Sequence, residues 1–320
     1  MLDRVVAIDL GGTNLRAAVV ATDGAISHHR SIPTDSEQGP ENIVGRLVGL
    51  IDEVATAAGL GPDAPTGVAV PGPLDPHRGI VYFMPNLKGW RDFPLGDALR
   101  SRTARPIRLG NDGNCAALGE ARFGAGVGVD DLIYFALGTG VGGGIISGGR
   151  LIDGPHGLSG EVGHVVVALD GPRCHCGSIG CLEAYVAGWA ISRDAELVAT
   201  TTDGERLRLV AAGDPLNATL VAAAAAAGDP AALAILERAG RALGAAIGAL
   251  VNLFNPALVV VGGGVGTIGE ALLAPARRGL ADHSFPTARA RMDLVSSVLG
   301  DDTALLGAAA LAFDRASPRS

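Results

Sequence analysis

Three of the four cysteines in this chain lie close together, at Cys174, Cys176 and Cys181, and His164 stands ten residues before the first of them. Three thiolates and one imidazole form the ligand set of a closed tetrahedral zinc site, the kind associated with structural metal. A disulfide is the alternative, but the odd number of cysteines in the cluster opposes it. The spacing therefore predicts a structural Zn²⁺ held by these four residues.

Glycine makes up 48 of the 320 residues, and much of it falls in four clusters. Because glycine allows a close backbone approach and a positive φ, the N–H groups of such a turn can surround an anion. The clusters are Asp9-Leu10-Gly11-Gly12-Thr13-Asn14, Val70-Pro71-Gly72-Pro73, Gly138-Thr139-Gly140-Val141-Gly142-Gly143-Gly144, and Gly262–Gly266. For any one cluster alone, a tight structural turn is the simpler interpretation, so the surrounding elements must decide.

Apolar, β-branched runs flank two of these clusters and predict two strand–turn–strand hairpins. Val5–Asp9 and Ala17–Val20 surround the first cluster. Leu132–Leu137 precedes the glycines at 138–144, which are expected to form the turn, and Ile145–Leu151 follows them as the second strand. A further strand is expected at His28–Ile32. The repeat of this pattern predicts two similar halves.

Helical periodicity is clearest over Glu41–Ala58, where apolar residues recur at helical spacing and Gly59 stands at the place of a C-cap glycine. Beyond residue 185 the chain is mostly helical and rich in alanine. Leu258–Val261 is expected to be a short buried strand that leads to a helix at Glu270–Arg278, and Asp302 is expected to cap a final apolar helix. Strands and helices together predict an α/β fold.

Two G-x-G-x-x-G strings raise a dinucleotide-binding alternative. The string at 138–143 leads into an expected strand, whereas the fingerprint requires a helix whose N-terminus holds the pyrophosphate. The string at 264–269 does pass from strand to helix, but no acidic residue closes a second strand about 20 residues later, as ribose binding requires. An NAD-type dehydrogenase therefore stays open as the weaker alternative, and a Walker A loop is absent.

Composition limits the partners. The formal net charge of -8 opposes nucleic-acid binding, because proteins that bind a phosphate backbone carry a clustered basic face. The longest apolar stretch, Ala242–Phe254, is interrupted by Asn252, and the N-terminus has no signal-peptide core. We therefore expect no membrane segment and a cytoplasmic location. The length exceeds the roughly 250 to 300 residues of a single core, so two domains are expected.

The two glycine hairpins resemble the phosphate loops of the actin-like ATPase and sugar kinase superfamily, Asp9-x-Gly11-Gly12-Thr13 the first and Leu137-Gly138-Thr139-Gly140-x-Gly142-Gly143 the second. Within that superfamily the sequence resembles the bacterial ROK family of repressors and sugar kinases, which includes glucokinases. Further motifs carry the resemblance along the chain: Pro71-Gly72-Pro73, Pro85-Asn86-Leu87-x-Gly89-Trp90, Asn111-Asp112-x-Asn114, Gly160-Glu161-x-Gly163-His164, Cys174-x-Cys176-Gly177-x-x-Gly180-Cys181-Leu182-Glu183, and Asn255-Pro256 followed by Gly262–Gly264.

The resemblance implies an α/β, two-domain actin-like ATPase / sugar kinase (ribonuclease H-like) fold with a cleft between the domains. The small N-terminal domain would cover residues 1–111, with a C-terminal helix at 302–316 packing back onto it. The large domain would cover residues 112–301 and carry the zinc loop. Domain closure in such enzymes excludes water, so a hinge is expected near residues 110–115.

Asp112 is the candidate general base. It follows an apolar-to-polar switch at Ile107–Gly110 and precedes a helix-like segment, Asn114–Arg122. From composition alone, the simpler interpretation is that Asp112 caps this helix. The resemblance implies catalysis instead, because the family's catalytic aspartate stands in this Asn-Asp-x-Asn context, and one side chain at a helix start can serve both purposes. Cys115 is interpreted as a small buried hydrophobe.

The resemblance also implies the ligand contacts. Asp9 would orient Mg²⁺ or its bound water, although a plain strand-end turn is supported equally well. His164 would use one ring nitrogen for zinc and the other for a sugar hydroxyl. The implied sugar contacts are Pro71, Gly72, Asn86, Asn111, Asp112, Glu161, His164 and Glu183, and the implied ATP contacts are Asp9, Gly11, Gly12, Thr13, Asn14, Gly138, Thr139, Gly140, Gly263 and Gly264.

The implied activity is ATP-dependent phosphorylation of the 6-hydroxyl of an aldohexose, with glucose first among the acceptors, by a homodimer or homotetramer. N-acetylmannosamine, N-acetylglucosamine, fructose and allose stay open as acceptors, and polyphosphate stays open as the donor. A non-catalytic, sugar-responsive regulator is the alternative from another class. Regulators of the family carry an extra N-terminal helix-turn-helix, whereas this chain enters its first strand at residue 5, which favours a kinase.

Overall fold

The computed structural model describes residues 3–84 and 87–314. Contacts between residues divide the chain into two compact units. Unit 1 comprises Met1–Asp130, Gly144–Gly160 and Val298–Ser320, and unit 2 comprises Asp131–Gly143 and Glu161–Ser297. The predicted domain boundary after residue 111 stays a prediction; by these contacts the helix that follows it groups with unit 1.

The described residues form mixed α/β structure. The strands are β1 (Arg4–Leu10), β2 (Asn14–Ala21), β3 (Ile26–Pro33), β4 (Thr66–Val70), β5 (Leu74–Asp75), β6 (Ile80–Phe83), β7 (Arg91–Phe93), β8 (Ile107–Asn111), β9 (Leu132–Leu137), β10 (Val141–Ser147), β11 (Arg150–Leu151), β12 (Leu258–Gly262) and β13 (Asp293–Ser296). The helices are α1 (Pro40–Ala57), α2 (Leu95–Arg100), α3 (Asp112–Phe123), α4 (Glu183–Val186), α5 (Gly188–Ala199), α6 (Glu205–Ala211), α7 (Ala218–Ala226), α8 (Pro230–Phe254), α9 (Glu270–His283), α10 (Pro286–Arg289) and α11 (Thr303–Phe313).

The main sheet of unit 1 has the strand order β3-β2-β1-β4-β8. The first three strands form an antiparallel meander, whereas β4 and β8 run parallel to β1. Both faces of β1 are buried: Val6 and Ile8 belong to the core that contains α1, and Val5 and Ala7 belong to the core that contains α11. A strand covered on both faces reads as a continuous apolar run, which explains the sequence of β1.

Helix α1 confirms the predicted amphipathic helix and its stop signal. Its buried residues recur at helical spacing, and the chain leaves the helix through Gly59, which has a φ of 65°. The N–H of Gly59 donates to the carbonyl of Thr56, and the N–H of Leu60 donates to that of Ala55. This pair of bonds is a Schellman motif, in which glycine adopts the left-handed conformation without a Cβ penalty.

A small sheet in unit 1 has the order β5-β6-β7, and the remaining sheet has the order β11-β10-β9-β12-β13. In the latter sheet the predicted turn at 138–144 is too long, because β10 already begins at Val141. Gly143 lies within the strand because of its packing: a Cβ there would stand 2.1 Å from the carbonyl oxygen of Tyr134. The predicted strand Ile145–Leu151 is in fact broken at Gly148 and Gly149, which separate β10 from β11.

Close helix packing accounts for the glycines of α8. A Cβ on Gly244 would stand 2.1 Å from the carbonyl oxygen of Ala276 in α9, and one on Gly248 would stand 2.9 Å from that of His283. These glycines therefore let the two helix backbones approach. Among the described residues, no single helix combines the length and apolar character needed to span a membrane; α7 and α8 together do, but with a 119° bend between them.

Helix α11 packs on β1 and α3 in unit 1, and a Cβ on its Gly307 would lie 1.7 Å from the carbonyl oxygen of Cys115. A final apolar helix that ends at Phe313 is thus confirmed, but its predicted cap is not. Asp302 stands at the N-cap position without a side-chain cap hydrogen bond, and its carboxylate lies 3.7 Å from the guanidinium of Arg16.

Candidate active site

The first glycine hairpin joins β1 to β2 in unit 1, as predicted. The N–H of Gly11 donates to the carbonyl of Asn14 at 3.0 Å, which closes the turn, while Gly12, Thr13 and Asn14 are exposed. A Cβ on Gly11 would stand 2.7 Å from that same carbonyl oxygen, so the turn needs glycine there. The turn presents N–H groups to solvent at the end of a buried strand, a suitable arrangement for an anion.

Asp9 ends β1 directly before this turn. Its Oδ2 accepts hydrogen bonds from Arg16 Nε at 3.0 Å and Arg16 Nη2 at 2.6 Å across the β1–β2 pair, where the two residues stand in register. The carboxylate of Asp9 is therefore held in place by a guanidinium beside the glycines. Sequence reasoning missed Arg16, although strand register would have paired it with Asp9.

Asp112 begins α3 at the end of β8, yet the N-cap is its neighbour Asn111. The Asn111 Oδ1 accepts from the N–H groups of Gly113 and Asn114, at 3.0 and 3.2 Å. Asp112 Oδ1 also accepts from the Gly113 N–H, at 2.8 Å, but from the first helical position. Asn111 is therefore the N-cap residue of α3, and the capping role that the sequence offered for Asp112 is filled by its neighbour.

Cys115 lies near the carboxylates of Asp9 and Asp112. Its side chain is fully buried, and this burial raises the pKa of the thiol. The negative charges of Asp112 and Asp9 raise that pKa further. A thiol with a raised pKa stays protonated, so Cys115 is a buried hydrophobe, as predicted, and not a nucleophile. The shared influence on Cys115 also indicates that Asp9 and Asp112 lie in one neighbourhood.

The glycine turn after β4 joins this group. Gly72 has a φ of 82°, and its carbonyl accepts a hydrogen bond from Asn111 Nδ2 at 3.1 Å. The Asn111 amide thus links the Pro71-Gly72 turn to the start of α3 as well as capping the helix. The predicted sugar contact Asn86 lies outside the described residues.

The second glycine hairpin joins β9 to β10 in unit 2. The N–H of Gly138 donates to the carbonyl of Gly140 at 2.9 Å, and Thr139 at its tip is exposed. The carbonyl of Gly138 in turn accepts from the N–H of Gly188, at 2.8 Å. Glu183 Oε2 accepts from the N–H of Val141 at 3.0 Å, so a carboxylate supports the far side of this turn.

The turn that follows β12 packs against the same hairpin. Gly263 has a φ of 80°, and a Cβ there would stand 2.4 Å from the carbonyl oxygen of Leu137. That carbonyl also accepts from the N–H of Val265, at 2.8 Å. A Cβ on Gly264 would meet nothing within 4 Å, so Gly264 borders open space. Unit 2 therefore brings together the two glycine turns that the sequence had separated by more than 100 residues.

The four predicted metal ligands converge in unit 2. The candidate ligand atoms of His164, Cys174, Cys176 and Cys181 all lie within 4.8 Å of one another. Cys176 Sγ is 3.8 Å from Cys181 Sγ, and Cys174 Sγ is 3.8 Å from His164 Nδ1. Ligands at about 2.3 Å from one ion with tetrahedral angles are about 3.8 Å apart, so this donor set fits a tetrahedral zinc ion.

The three cysteines of the cluster differ in the direction in which their thiol pKa is shifted. Desolvation acts to raise the pKa of Cys176, but it is outweighed by hydrogen bonds from Ser178 and the two neighbouring thiols, which lower that pKa. Burial raises the pKa of Cys174 and of Cys181. A cysteine that readily becomes a thiolate is what a metal ligand requires.

Two glutamates border the cluster. The thiol of Cys174 donates to Glu183 Oε1 at 3.4 Å, so Glu183 touches both the metal ligands and, through Val141, the second glycine hairpin. Burial raises the pKa of Glu161; His164 opposes this shift and the Glu183 carboxylate adds to it. Because Nδ1 of His164 faces Cys174, its Nε2 is the nitrogen left for another partner.

One residue near the first hairpin was missed entirely by sequence reasoning. Thr34 directly follows β3 and is fully buried. Its hydroxyl donates to the carbonyl of Gly11 at 2.6 Å, and its N–H donates to the carbonyl of Thr13 at 2.8 Å. The 23 residues between Thr34 and Gly11 hide this contact, because no local pattern relates them.

Paired glycine hairpins on two α/β units, with an aspartate beside the first, define the two-domain actin-like ATPase fold. The ROK family model matches residues 5–315, and the chain therefore belongs to the ROK family. Membership of the ROK family therefore opposes the alternative of an NAD-type dehydrogenase.

The chain is 37% identical over 314 residues to a glucokinase from Thermotoga maritima, which covers 98% of each chain. It is 35% identical over 311 residues to an N-acetylmannosamine kinase from Shigella flexneri, covering 96% of this chain and 98% of that one. It is also similar to the crystal structure of a ROK family glucokinase from Streptomyces griseus in complex with glucose and AMPPNP. That match has a TM-score of 0.81 and 36% identity, and it covers 97% of this chain and 99% of that chain.

Proposed function

We propose that this chain is an ATP-dependent hexose kinase that transfers the γ-phosphoryl group of MgATP to the 6-hydroxyl of glucose. The similarity along nearly the full length to glucokinases supports glucose as the acceptor. The observation that carries the proposal is the arrangement at β8–α3, where Asn111 caps the helix and Asp112 stands beside it at the first helical position. The N-cap role at this helix start is therefore filled by Asn111 and not by Asp112.

In the proposed mechanism, Asp112 accepts the proton of the sugar hydroxyl as that hydroxyl attacks the γ-phosphorus. Phosphoryl transfer needs little covalent help from the protein, so catalysis consists of positioning and of stabilising charge on the phosphates. The hairpin at 11–14 in unit 1 would contribute N–H groups to nucleotide binding, and in unit 2 the hairpin at 138–140 with Gly263 and Gly264 would do the same. Asp9 would hold Mg²⁺ or its water, which neutralises phosphate charge.

The remaining site assignments follow the same proposal. Sugar hydroxyls both donate and accept hydrogen bonds, so carboxylates, amides and an imidazole nitrogen suit them. Glu161, Glu183 and Nε2 of His164 would supply such groups in unit 2, and Asn111 with the Pro71-Gly72 turn would do so in unit 1, with Asn86 as a further contact.

We further propose that His164, Cys174, Cys176 and Cys181 hold a structural zinc ion. The fit of their spacing to a tetrahedron supports zinc, as do the turns at Gly177 and Gly180, which have φ values of 95° and 74°. When bound, zinc would fix the loop that carries the sugar-binding groups, without a part in phosphoryl transfer. Metal analysis of the purified protein by mass spectrometry tests this, with one zinc per chain expected.

The activity is tested with a panel of sugars and MgATP, measured as kcat/KM. Glucose is expected to give the highest value. A higher value for N-acetylmannosamine, N-acetylglucosamine, fructose or allose would reassign the acceptor, and polyphosphate in place of ATP tests the donor. An absence of ADP formation with every sugar would favour a non-catalytic regulator. The predicted homodimer or homotetramer is tested by light scattering on the same preparation.

A further inference from the structure

The N–H groups of the first glycine hairpin need an anchor, because an exposed turn of small residues does not fix the direction of its own peptide planes. Within the turn, only the Gly11 N–H to Asn14 carbonyl bond is made among the described turn residues. The outer anchor is Thr34, which holds the carbonyls of Gly11 and Thr13 by its hydroxyl and its N–H. Its complete burial keeps water from competing for these bonds.

Because the peptide group is planar, holding a carbonyl also fixes the direction of the N–H group in the same peptide. A trans peptide is planar, and its C=O and N–H point in opposite directions. Holding the carbonyl of Gly11 towards Thr34 therefore turns the N–H of Gly12 away from it, towards the exposed side of the turn. The same reasoning applies to the carbonyl of Thr13 and the N–H of Asn14.

In the second hairpin a carbonyl is likewise held by a hydrogen bond, but from a backbone group. There the carbonyl of Gly138 is held by the backbone N–H of Gly188, which turns the N–H of Thr139 to the opposite side. A backbone donor cannot be removed by most substitutions, whereas the anchor of the first hairpin is a hydroxyl that a single substitution deletes. The effect of such an anchoring hydrogen bond can therefore be tested at the first hairpin.

We propose that Thr34 is a positioning residue for the nucleotide phosphates, and that its hydroxyl acts by orienting the peptide that presents the Gly12 N–H. The proposal rests on the proposed function, since it assumes that this hairpin binds the phosphates of ATP. Thr34 does not touch the substrate in this scheme; it acts through Gly11.

The experiment compares Thr34→Val, which deletes the hydroxyl at nearly constant shape, with Thr34→Ser, which keeps it. Calorimetric titration with MgAMPPNP should show affinity about three- to tenfold weaker for Thr34→Val, the range expected for one hydrogen bond. Affinity for glucose should stay within about twofold, KM for ATP should rise, and Thr34→Ser should restore the wild-type values.

A matched control is Thr66→Val. Thr66 is equally buried, in β4 of the same sheet, but its hydroxyl has no hydrogen-bond partner among the described residues. This variant should bind MgAMPPNP and glucose like the wild type. If Thr34→Val does not fold, Thr34→Ala and Thr34→Ser form a second pair in which both lack the methyl group and only the latter keeps the hydroxyl.

The outcomes separate the two proposals. Unchanged MgAMPPNP affinity in Thr34→Val, with or without a lower Tm, would overturn the positioning role and leave the kinase activity intact. An equal loss of glucose and nucleotide affinity would also overturn it, because that indicates general damage. A wild-type protein that neither binds MgAMPPNP nor phosphorylates a sugar would overturn the proposed function itself.

Discussion

The anchors of the first glycine hairpin are neutral groups, whereas the second hairpin is held both by the backbone N–H of Gly188 and by a carboxylate that also contacts the candidate metal-ligand cluster. Around the first, the anchors are the Thr34 hydroxyl and N–H, and the nearby Asp9 is paired with Arg16. Around the second, Glu183 accepts from Val141 and from the thiol of Cys174. The first hairpin thus depends on a buried residue beside its own sheet, and the second depends on a loop that the proposed metal would fix.

Similar glycine-rich turns can therefore rely on different parts of a fold. Changes in unit 1 should affect nucleotide handling without changing metal content. Changes around the cluster should affect metal content first, and the second hairpin through Glu183.

The largest effect is expected for Asp112→Asn in unit 1. Removal of the proposed general base should lower kcat by at least about 10² to 10⁴, while the asparagine can still accept from the Gly113 N–H. Metal content and Tm should match the wild type. Activity within a few-fold of the wild type in a coupled assay of ADP formation would mean that Asp112 is only a structural residue at the helix start.

The two hairpins should differ in their tolerance of alanine. A Cβ on Gly11 would meet the backbone oxygen of Asn14 at 2.7 Å, whereas one on Gly140 would meet the end of the Glu183 side chain at 2.8 Å. A side chain can move and a closed turn cannot. We expect kcat/KM for ATP to fall about ten- to 100-fold in Gly11→Ala and about threefold in Gly140→Ala. The reverse order would contradict the comparison.

Loss of metal should act on unit 2. Cys176→Ser removes one proposed ligand, so zinc should be lost and Tm should fall by about 5 °C or more, since ~1 kcal/mol corresponds to about 2–4 °C for a domain of this size. Cys115→Ala is the control, because that buried thiol lies in unit 1 and should leave the zinc content unchanged. Full activity and an unchanged Tm in metal-free Cys176→Ser would rule out a structural role for the metal.

The smallest effect is expected at an exposed ion pair away from both hairpins. A hydrogen bond from Arg277 lowers the pKa of Glu270 at the start of α9. A depressed pKa stabilises the fold above the ordinary carboxyl pKa, and this stabilisation is lost as the pH falls through the folded value. Glu270→Gln should therefore lower Tm by no more than about 1 °C at pH 7, and the difference should vanish in acid. A larger change at pH 7, measured by differential scanning fluorimetry, would contradict this.

Much of the fold was predictable because its signals are local. The apolar run of β1, the periodicity of α1 and the stop at Gly59 each lie within a few residues of the structure they specify. The cysteine spacing likewise brought three ligands together in one short loop. Packing explains why one prediction was wrong: the glycines at 142–144 look like a turn in sequence, but they lie within β10, where the carbonyl of Tyr134 leaves no room for a Cβ at Gly143.

The two hairpins, the family and the candidate residues for proton transfer, phosphate binding and metal binding could all be identified from the amino-acid sequence. How those residues are held became visible only in the folded chain. Only the fold shows that Asn111 rather than Asp112 caps α3, that Arg16 holds Asp9, and that Thr34 anchors a turn 23 residues away. The physical reason is that such contacts join segments far apart in the chain, so no local spacing or periodicity records them.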